Sequence, residues 1–138
     1  MALKYASSIK LDGVIYGNAQ AAYLAQGVKA ENRELFAALN AHQARRLAKQ
    51  LSVREGWDAQ AQEDALEAVC MAKYRQNAEL AQKLLSTGEK EIIYDTTGAH
   101  DNDWGRCSCS VCADGPARNV YGKILMRVRK ALGKDLGN

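Results

Sequence analysis

The feature that most constrains the fold is a stretch without proline or glycine that runs from residue 58 to residue 86. It is rich in Ala, Leu, Gln, Glu and Lys, which lose little side-chain freedom in a helical turn. Its apolar residues recur at intervals of three and four, at Leu66, Val69, Cys70, Tyr74, Leu80, Leu84 and Leu85. We therefore predict one long amphipathic helix with Cys70 in the core, ended by Gly88 in a left-handed conformation.

Local signals predict shorter elements before this helix. Asp12-Gly13 supplies the positive φ angles of a type I′ turn, so residues 9–16 are expected to form a hairpin. A helix is predicted over residues 18–27, with Asn18 as its N-cap. A second helical region is predicted over residues 31–51, with a break near Asn40. Its expected buried stripe comprises Leu35, Ala38, Leu39, Ala44 and Leu47.

The C-terminal half alternates between short apolar segments and a polar loop. Residues 91–94 predict one strand, and residues 96–116 predict a loop rich in Asp, Gly, Asn and Cys. A last helix is expected over residues 119–132, with Gly133 as its stop. The expected fold class is therefore mainly α with a small β component (α+β), in a single compact domain over residues 1–138.

Charge and hydropathy exclude some classes of function. The net charge of +3, from 19 Lys and Arg against 16 Asp and Glu, is too small to indicate nucleic-acid binding by itself. No apolar run reaches the roughly 18 residues that indicate a membrane span, and no leader pattern opens the sequence. We expect a cytoplasmic protein with no membrane partner, whose four cysteines are thiols or metal ligands.

Three of these cysteines lie within six residues, at Cys107, Cys109 and Cys112. Structural Zn²⁺ takes four ligands, and His100 or Asp114 could be the fourth. A packed loop of reduced thiols is the alternative, because the usual two-plus-two spacing of zinc ligands is absent. A structural zinc ion is therefore a possible cofactor, and both readings stay open at this point.

Four sequence patches and one tryptophan together resemble the NADAR family, whose members are linked to NAD and ADP-ribose metabolism. The resemblance covers about residues 10–132 and is most specific after Trp57. The patches are KYRQN at residues 73–77, LLSTG at 84–88, DNDWG at 101–105 and NVYGKILMRVR at 119–129. Their order and spacing carry more weight than any single patch.

Members of this family resemble N-glycosidases. Some cleave ribosylamine-type bonds in riboflavin-pathway intermediates, and others remove ADP-ribose from guanine bases. The resemblance therefore implies a domain that binds an ADP-ribose-like or otherwise ribosylated nucleotide and needs no cofactor for catalysis. ADP-ribosylated nucleic acid is a possible substrate form. Cleavage of such a bond builds positive charge at the anomeric carbon, which a carboxylate can stabilise.

The resemblance also implies roles for individual residues. Asp101 is the expected catalytic carboxylate, and the alternative is an aspartate that stabilises a loop turn or caps a helix. Lys73 and Arg129 are expected to bind phosphate, unless they form surface salt bridges. The other expected ligand-binding residues are Gln20, Tyr23, Trp57, Asn77, Trp104, Gly105 and Asn119. Asn77 is expected one helical turn after Lys73 on the same face, and Asn119 can also cap the last helix.

The N-terminal part departs from the family pattern. Gln20 stands where the family has glutamate, and Ala21 replaces a histidine. Gly27 replaces a lysine, unless Lys29 substitutes for that lysine. The family's first strand is reduced to residues 2–5, and Tyr94 occupies a second acidic position. Because glutamine cannot ionise, a disarmed protein that binds or sequesters the nucleotide, such as a viral, phage or mobile-element accessory protein, is the alternative function. An interaction module without a ligand is a third hypothesis.

Overall fold

The structure, a computed structural model, describes residues 6–112 and 115–137. The N-terminal segment 2–5 and Asp114, both singled out in the sequence, lie outside the described residues. The elements are β1 (Ala6–Leu11), β2 (Val14–Asn18), α1 (Ala19–Gln26), a 3₁₀-helix (Ala30–Phe36), α2 (Ala41–Gln50), α3 (Ala59–Arg75), α4 (Ala78–Leu85) and α5 (Val120–Gly137). The mainly helical class with a small β component is thus confirmed.

The chain divides into two compact units, Met1–Ala78 and Glu79–Asn138. In the first unit, β1 and β2 form the predicted antiparallel hairpin. Asp12 and Gly13 have φ angles of 50° and 83°, as a type I′ turn requires. The register places Ile9 opposite Tyr16, and both side chains are fully buried. The hairpin therefore contributes one apolar face to the core of this unit.

Helix α1 follows the hairpin directly, as predicted. The Asn18 side chain accepts a hydrogen bond from the Ala21 backbone N–H at 2.9 Å and so caps the first turn. Its amide nitrogen also donates to the Leu39 carbonyl at 2.9 Å. One asparagine therefore both starts the helix and attaches it to the segment before α2.

The region over residues 31–51 is broken before Asn40, as predicted, but its first part is a 3₁₀-helix. Asn40 and Gln43 form a capping box that starts α2. The predicted buried stripe was wrong at two residues, because Leu35 is 54% exposed and Ala38 is also exposed, whereas Phe36 is fully buried. A 3₁₀-helix has three residues per turn, so its buried face has a different phase from that of an α-helix.

The prediction of one helix over residues 58–86 was wrong. Helix α3 ends at Arg75 and α4 begins at Ala78. The Gln76 side chain accepts from the Lys10 backbone N–H and donates to the Lys10 carbonyl, both at 2.8 Å. This pairing with the edge of β1 fixes the chain just after α3. The buried face predicted for the α3 part is confirmed, including Cys70, which is 1% exposed.

In the second unit, the predicted strand at residues 91–94 was also wrong, because these residues form no ladder. Only an isolated bridge joins Asp95 to Arg106. The segment is held by the Asn119 side chain, which accepts from the Tyr94 N–H at 2.9 Å and donates to the Ile92 carbonyl at 2.8 Å. One side-chain amide thus satisfies the backbone groups that a neighbouring strand would otherwise pair.

Helix α5 is longer than predicted and passes through Gly133. A glycine inside a helix costs only about 1 kcal/mol relative to alanine, so it does not have to end one. The buried face of α5 forms the apolar centre of the second unit, with Val120, Tyr121, Ile124, Leu125, Val128 and Leu132. Within the described residues, no helix is both long and apolar enough to cross a bilayer.

Candidate functional site

Tyr23 on α1 and Trp57 are brought together in the first unit. Their ring centroids lie 6.0 Å apart at an interplanar angle of 50°. Burial raises the pKa of the Tyr23 phenol above its ordinary value. Gln20 lies one turn earlier on the same helix and is half-buried. Three of the predicted site residues therefore belong to one part of this unit.

The indole of Trp57 also explains one departure from the family pattern. A Cβ atom at Gly27 would lie only 2.8 Å from the indole Cε2. The ring therefore packs directly on the Gly27 backbone, where a lysine side chain has no room. Arg54 covers the ring at 5.1 Å from its centroid and donates from Nε to the Gln26 carbonyl at 2.9 Å. Sequence reasoning missed Arg54; a cation three residues before a tryptophan was the available signal.

Lys73 lies on the buried face of α3 and is only 2% exposed. The surface salt bridge considered for it is therefore wrong. Burial lowers the pKa of the Lys73 ammonium, since a low-dielectric environment disfavours the charged form. Its Nζ is 5.9 Å from the centroid of the Tyr74 ring. The phosphate-binding role that the resemblance implies for Lys73 stays a prediction.

The expected relation between Lys73 and Asn77 does not hold. Helix α3 ends at Arg75, so Asn77 is not one helical turn further along the same helix. Its side chain is half-buried in the connection before α4. The ligand-binding role that the resemblance implies for Asn77 stays a prediction.

In the second unit, Asp101 organises the loop that connects the two residues of the Asp95–Arg106 bridge. Its Oδ1 accepts hydrogen bonds from the backbone N–H groups of Asp103 and Trp104, both at 3.0 Å. The Thr96 hydroxyl donates to the Asp101 carbonyl. The loop-turn role considered for this aspartate is therefore present. The same contacts hold the carboxylate in a fixed orientation, so a catalytic role stays a prediction alongside it.

Trp104 is half-buried and is tied to the start of α5. Its carbonyl accepts from the Tyr121 N–H at 2.8 Å, while the Asp103 carbonyl accepts from the Val120 N–H at 3.0 Å. These bonds satisfy N–H groups of the first turn of α5. The next residue, Gly105, has no space for a side chain, because a Cβ atom would collide with the Tyr94 carbonyl. The local reason for Gly105 is thus close backbone packing.

Two predicted ligand-binding residues of the second unit hold backbone segments in place. Arg129 Nη1 donates to Thr87 Oγ1 at 2.7 Å and to the Lys90 carbonyl at 2.8 Å, so the predicted helix-neighbour salt bridge is replaced by these bonds. The predicted cap role of Asn119 was wrong. Its amide bonds to residues 92–94 instead, and its φ of 51° differs from the extended backbone of an N-cap. Their ligand roles stay predictions.

A cysteine–histidine cluster lies in the same loop and comprises His100, Cys107, Cys109 and Cys112. The four ligand atoms all lie within 4.8 Å of one another. Hydrogen bonding from the Cys109 backbone, against the opposing effect of burial, lowers the pKa of the Cys107 thiol to about 6. Burial raises the pKa of Cys112. The sequence had left open whether His100 or Asp114 is the fourth residue of this set, and the structure places His100 in it.

Each unit also has a pocket, and neither pocket has the size and lining expected for the nucleotide. An apolar groove of about 330 Å³ in the first unit is lined by Leu35, Leu39, Leu47 and polar residues of α2, and contains none of the predicted site residues. A pocket of about 130 Å³ in the second unit includes Asn119 among its lining residues. Ligand pockets usually measure about 300–1,000 Å³, so this second pocket is too small for a dinucleotide.

Comparison with known proteins decides the family. A sequence model described as the NADAR domain matches residues 3–133, nearly the whole chain. The chain belongs to the NADAR family. Its fold is similar to the NMR structure of the Escherichia coli protein YbiA, with a TM-score of 0.76 and 23% sequence identity over 97% of this chain and 77% of that one. No curated protein gives a significant match.

Several residues of the four NADAR patches hold backbone segments of the fold in place. In the first of them, Gln76 pairs with β1. In the last, Asn119 and Arg129 hold the segments before the loop, and Gly122 is required because a Cβ atom there would meet the Ile92 carbonyl. These residues of the patches therefore have structural roles within the fold. Gln20, which does not hold a backbone segment in this way among the described residues, is a better candidate for contact with a ligand.

Proposed function

We propose that this protein is a NADAR-type N-glycosidase that hydrolyses the N-glycosidic bond of an ADP-ribosylated or ribosylamine nucleotide. The observation that carries the proposal is the family match over residues 3–133, since the family includes N-glycosidases. The proposed partner is a small ribosylated nucleotide or the same group attached to nucleic acid. The proposed location is the cytoplasm, where the cysteines stay reduced.

The proposed chemistry assigns one role to each charged group. Asp101 supplies negative charge near the anomeric carbon, where cleavage of the C–N bond develops positive charge. Its two backbone hydrogen bonds fix the carboxylate before the substrate arrives, which lowers the cost of reorganisation. For the first unit, the family resemblance alone supports the proposal that Lys73 binds phosphate. Trp104 packs on a ring of the substrate.

A second function is favoured by Gln20, which occupies the position of a family glutamate. An amide can hydrogen-bond a ribose hydroxyl, but it cannot act as a base or stabilise a cation as a carboxylate does. The exchange therefore removes catalytic power more readily than binding. On this second proposal the protein binds or sequesters the nucleotide without cleaving it.

The test measures binding and cleavage separately. The wild-type protein is titrated with ADP-ribose, NAD and a ribosylamine nucleotide while its thermal stability is recorded. ADP-ribosylated guanosine and the ribosylamine substrate are then incubated with the protein, and the released base is measured by chromatography. A ligand at one hundred times its dissociation constant stabilises the fold by about 2.7 kcal/mol, which gives a clear shift.

The variant Asp101→Asn is the sharpest test of the enzyme proposal. Asparagine keeps an oxygen that can accept from the Asp103 and Trp104 N–H groups, so the turn is preserved and only the charge is lost. The rate of base release is expected to fall by about 10²–10⁴-fold, the range typical of a lost acid–base or charge-stabilising group. Asp103→Asn is the matched control, because the Asp103 carboxylate contacts the exposed Arg118 at 2.6 Å.

The outcomes separate the hypotheses. The enzyme proposal is supported if the wild type releases base, Asp101→Asn loses this activity and Asp103→Asn keeps it. Binding without release, together with release created by Gln20→Glu, supports the sequestering protein. A panel with no binding and no release contradicts both and favours an interaction module.

A further inference from the structure

The strongest unassigned feature of the molecule is the cysteine–histidine cluster of the second unit. His100 Nδ1 lies 3.4 Å from Cys112 Sγ, 3.4 Å from Cys109 Sγ and 3.7 Å from Cys107 Sγ. A tetrahedral zinc ion with Zn–S near 2.3 Å and Zn–N near 2.0–2.1 Å holds its nitrogen and sulfur ligands about 3.6 Å apart. The three distances thus match the edges of a Cys₃His tetrahedron.

Hydrogen bonding alone does not account for this arrangement. An imidazole nitrogen either donates one hydrogen or accepts at one lone pair, so it can form one good hydrogen bond. Here three sulfur atoms converge on the single nitrogen Nδ1 of His100. A metal ion offers four ligands one shared centre, which is what this convergence requires. The cysteines are free thiols, so no disulfide competes for them.

The backbone around the cluster gives a second, independent observation. His100 has a φ of 55°, in the left-handed region that is unfavourable for a non-glycine residue. Such conformations persist where the surrounding structure compensates for them. At Cys107, the backbone N–H donates to Asn102 Oδ1 at 2.8 Å; at Ser108, it donates to Thr97 Oγ1 at 2.9 Å. The left-handed backbone at His100 and the two side-chain hydrogen bonds thus both hold the four candidate ligands together.

The ligand set also suits zinc by its chemistry and its spacing. Thiolate and imidazole are the preferred ligands of structural Zn²⁺, and Cys109 and Cys112 have the two-residue spacing of many such sites. The loop between Asp95 and Asn119 contains neither helix nor strand within its described residues, and its polar composition gives it little apolar core. A bound ion supplies the cross-link that hydrophobic burial does not supply here.

We propose that His100, Cys107, Cys109 and Cys112 bind one structural zinc ion that fixes the loop carrying Asp101 and Trp104. His100 directly precedes Asp101 in the chain, so the ion anchors the start of the turn that Asp101 organises. Four protein ligands leave no position for water, which makes the site structural rather than catalytic. The proposal does not rest on the proposed function, because metal binding is measured without substrate.

The test compares metal content in matched cysteine variants. The full chain is produced with zinc in the medium, and its metals are measured by mass spectrometry. Wild type and Cys70→Ala, a control cysteine on α3 outside the cluster, are expected to carry one zinc ion each. Cys109→Ser is expected to bind zinc at least about 100-fold more weakly in a chelator competition, because even loss of a supporting hydrogen bond costs 10–100-fold. His100→Cys is expected to keep the ion, whereas His100→Ala weakens it.

Replacement of zinc by Co²⁺ in the wild type keeps the proposal testable if a variant fails to fold. A Cys₃His cobalt centre gives intense visible bands of tetrahedral geometry together with thiolate-to-metal charge-transfer absorption. Their appearance at one equivalent of cobalt supports the site. The proposal is overturned if these bands are absent, if wild type holds no more zinc than Cys109→Ser, if iron replaces zinc as the bound metal, or if two of the three loop cysteines form a disulfide in protein purified under reducing conditions.

Discussion

The substitution Asn119→Ala should strongly destabilise the protein, and the structure gives the size of the effect. The side chain forms two hydrogen bonds, with the Tyr94 N–H and the Ile92 carbonyl, in a partly buried position. Loss of one net hydrogen bond costs about 1 kcal/mol, and backbone groups left unpaired in the interior raise that cost. We therefore assign about 2 kcal/mol to the two bonds together.

The backbone at residue 119 adds a second contribution. Its φ of 51° lies in the left-handed region, where asparagine is tolerated and alanine costs about 1–2 kcal/mol more. The total for Asn119→Ala is then about 3–4 kcal/mol. Asn119→Gly loses the same hydrogen bonds but tolerates the φ angle, so it should cost only about 2 kcal/mol.

Urea unfolding followed by circular dichroism measures both variants. The midpoints should fall in the order wild type, glycine variant, alanine variant, with the slopes unchanged. The reasoning is refuted if Asn119→Ala loses less than about 1 kcal/mol, or if the glycine variant is as unstable as the alanine variant. The first result would mean that the two hydrogen bonds contribute little to the free energy of unfolding. The second would mean that the left-handed φ angle adds no separate cost for alanine.

Three further predictions concern the first unit. Gly27→Ala places a methyl group against the Trp57 indole and should cost about 1–3 kcal/mol, with a change in tryptophan fluorescence. Phe36→Ala should cost about 3–5 kcal/mol in urea unfolding, whereas the exposed Leu35→Ala should cost less than about 1 kcal/mol; equal losses would contradict the assigned burial. Because burial lowers the pKa of Lys73, the unfolded state binds more protons between that lowered pKa and the ordinary lysine value of 10.5. The unfolding free energy of wild type should therefore rise relative to Lys73→Met as the pH is raised from 7 toward 10, and a flat difference would contradict it.

Elements specified by neighbouring residues could be predicted from the sequence. The hairpin needs only Asp12 and Gly13 at its turn, and α1 needs only Asn18 at its cap. These signals act within three or four residues, so distant parts of the chain cannot easily override them. Both predictions are confirmed in the structure for this reason.

Features decided by distant partners could not be predicted in this way. The break after α3 depends on Gln76 pairing with Lys10, 66 residues earlier in the chain. The irregular path of residues 91–94 depends on Asn119, and no local pattern reveals that side-chain bond. In both cases the local periodicity was real, but a tertiary contact outweighed it.

In the candidate site, too, local features could be predicted from the sequence and features that depend on tertiary contacts could not. The spacing of Cys107, Cys109 and Cys112 already indicated a possible metal site, but the fourth ligand was left open because it depends on a left-handed turn at His100. The burial of Lys73 was missed, because a lysine in an amphipathic pattern is usually assigned to the solvent face. Its position became visible only once the packing of α3 was known.

The proposed binding of an ADP-ribose-like nucleotide by this NADAR protein is tested most directly by an NMR titration. The chain has two tryptophans, so a ¹⁵N-labelled sample gives two indole signals, which Trp57→Phe assigns by loss of one. The account predicts that the Trp104 indole signal shifts and saturates as ADP-ribose is added, while adenine alone produces a weaker effect. If the Trp104 signal and the backbone signals around Asp101 stay fixed throughout the titration, the claim is contradicted.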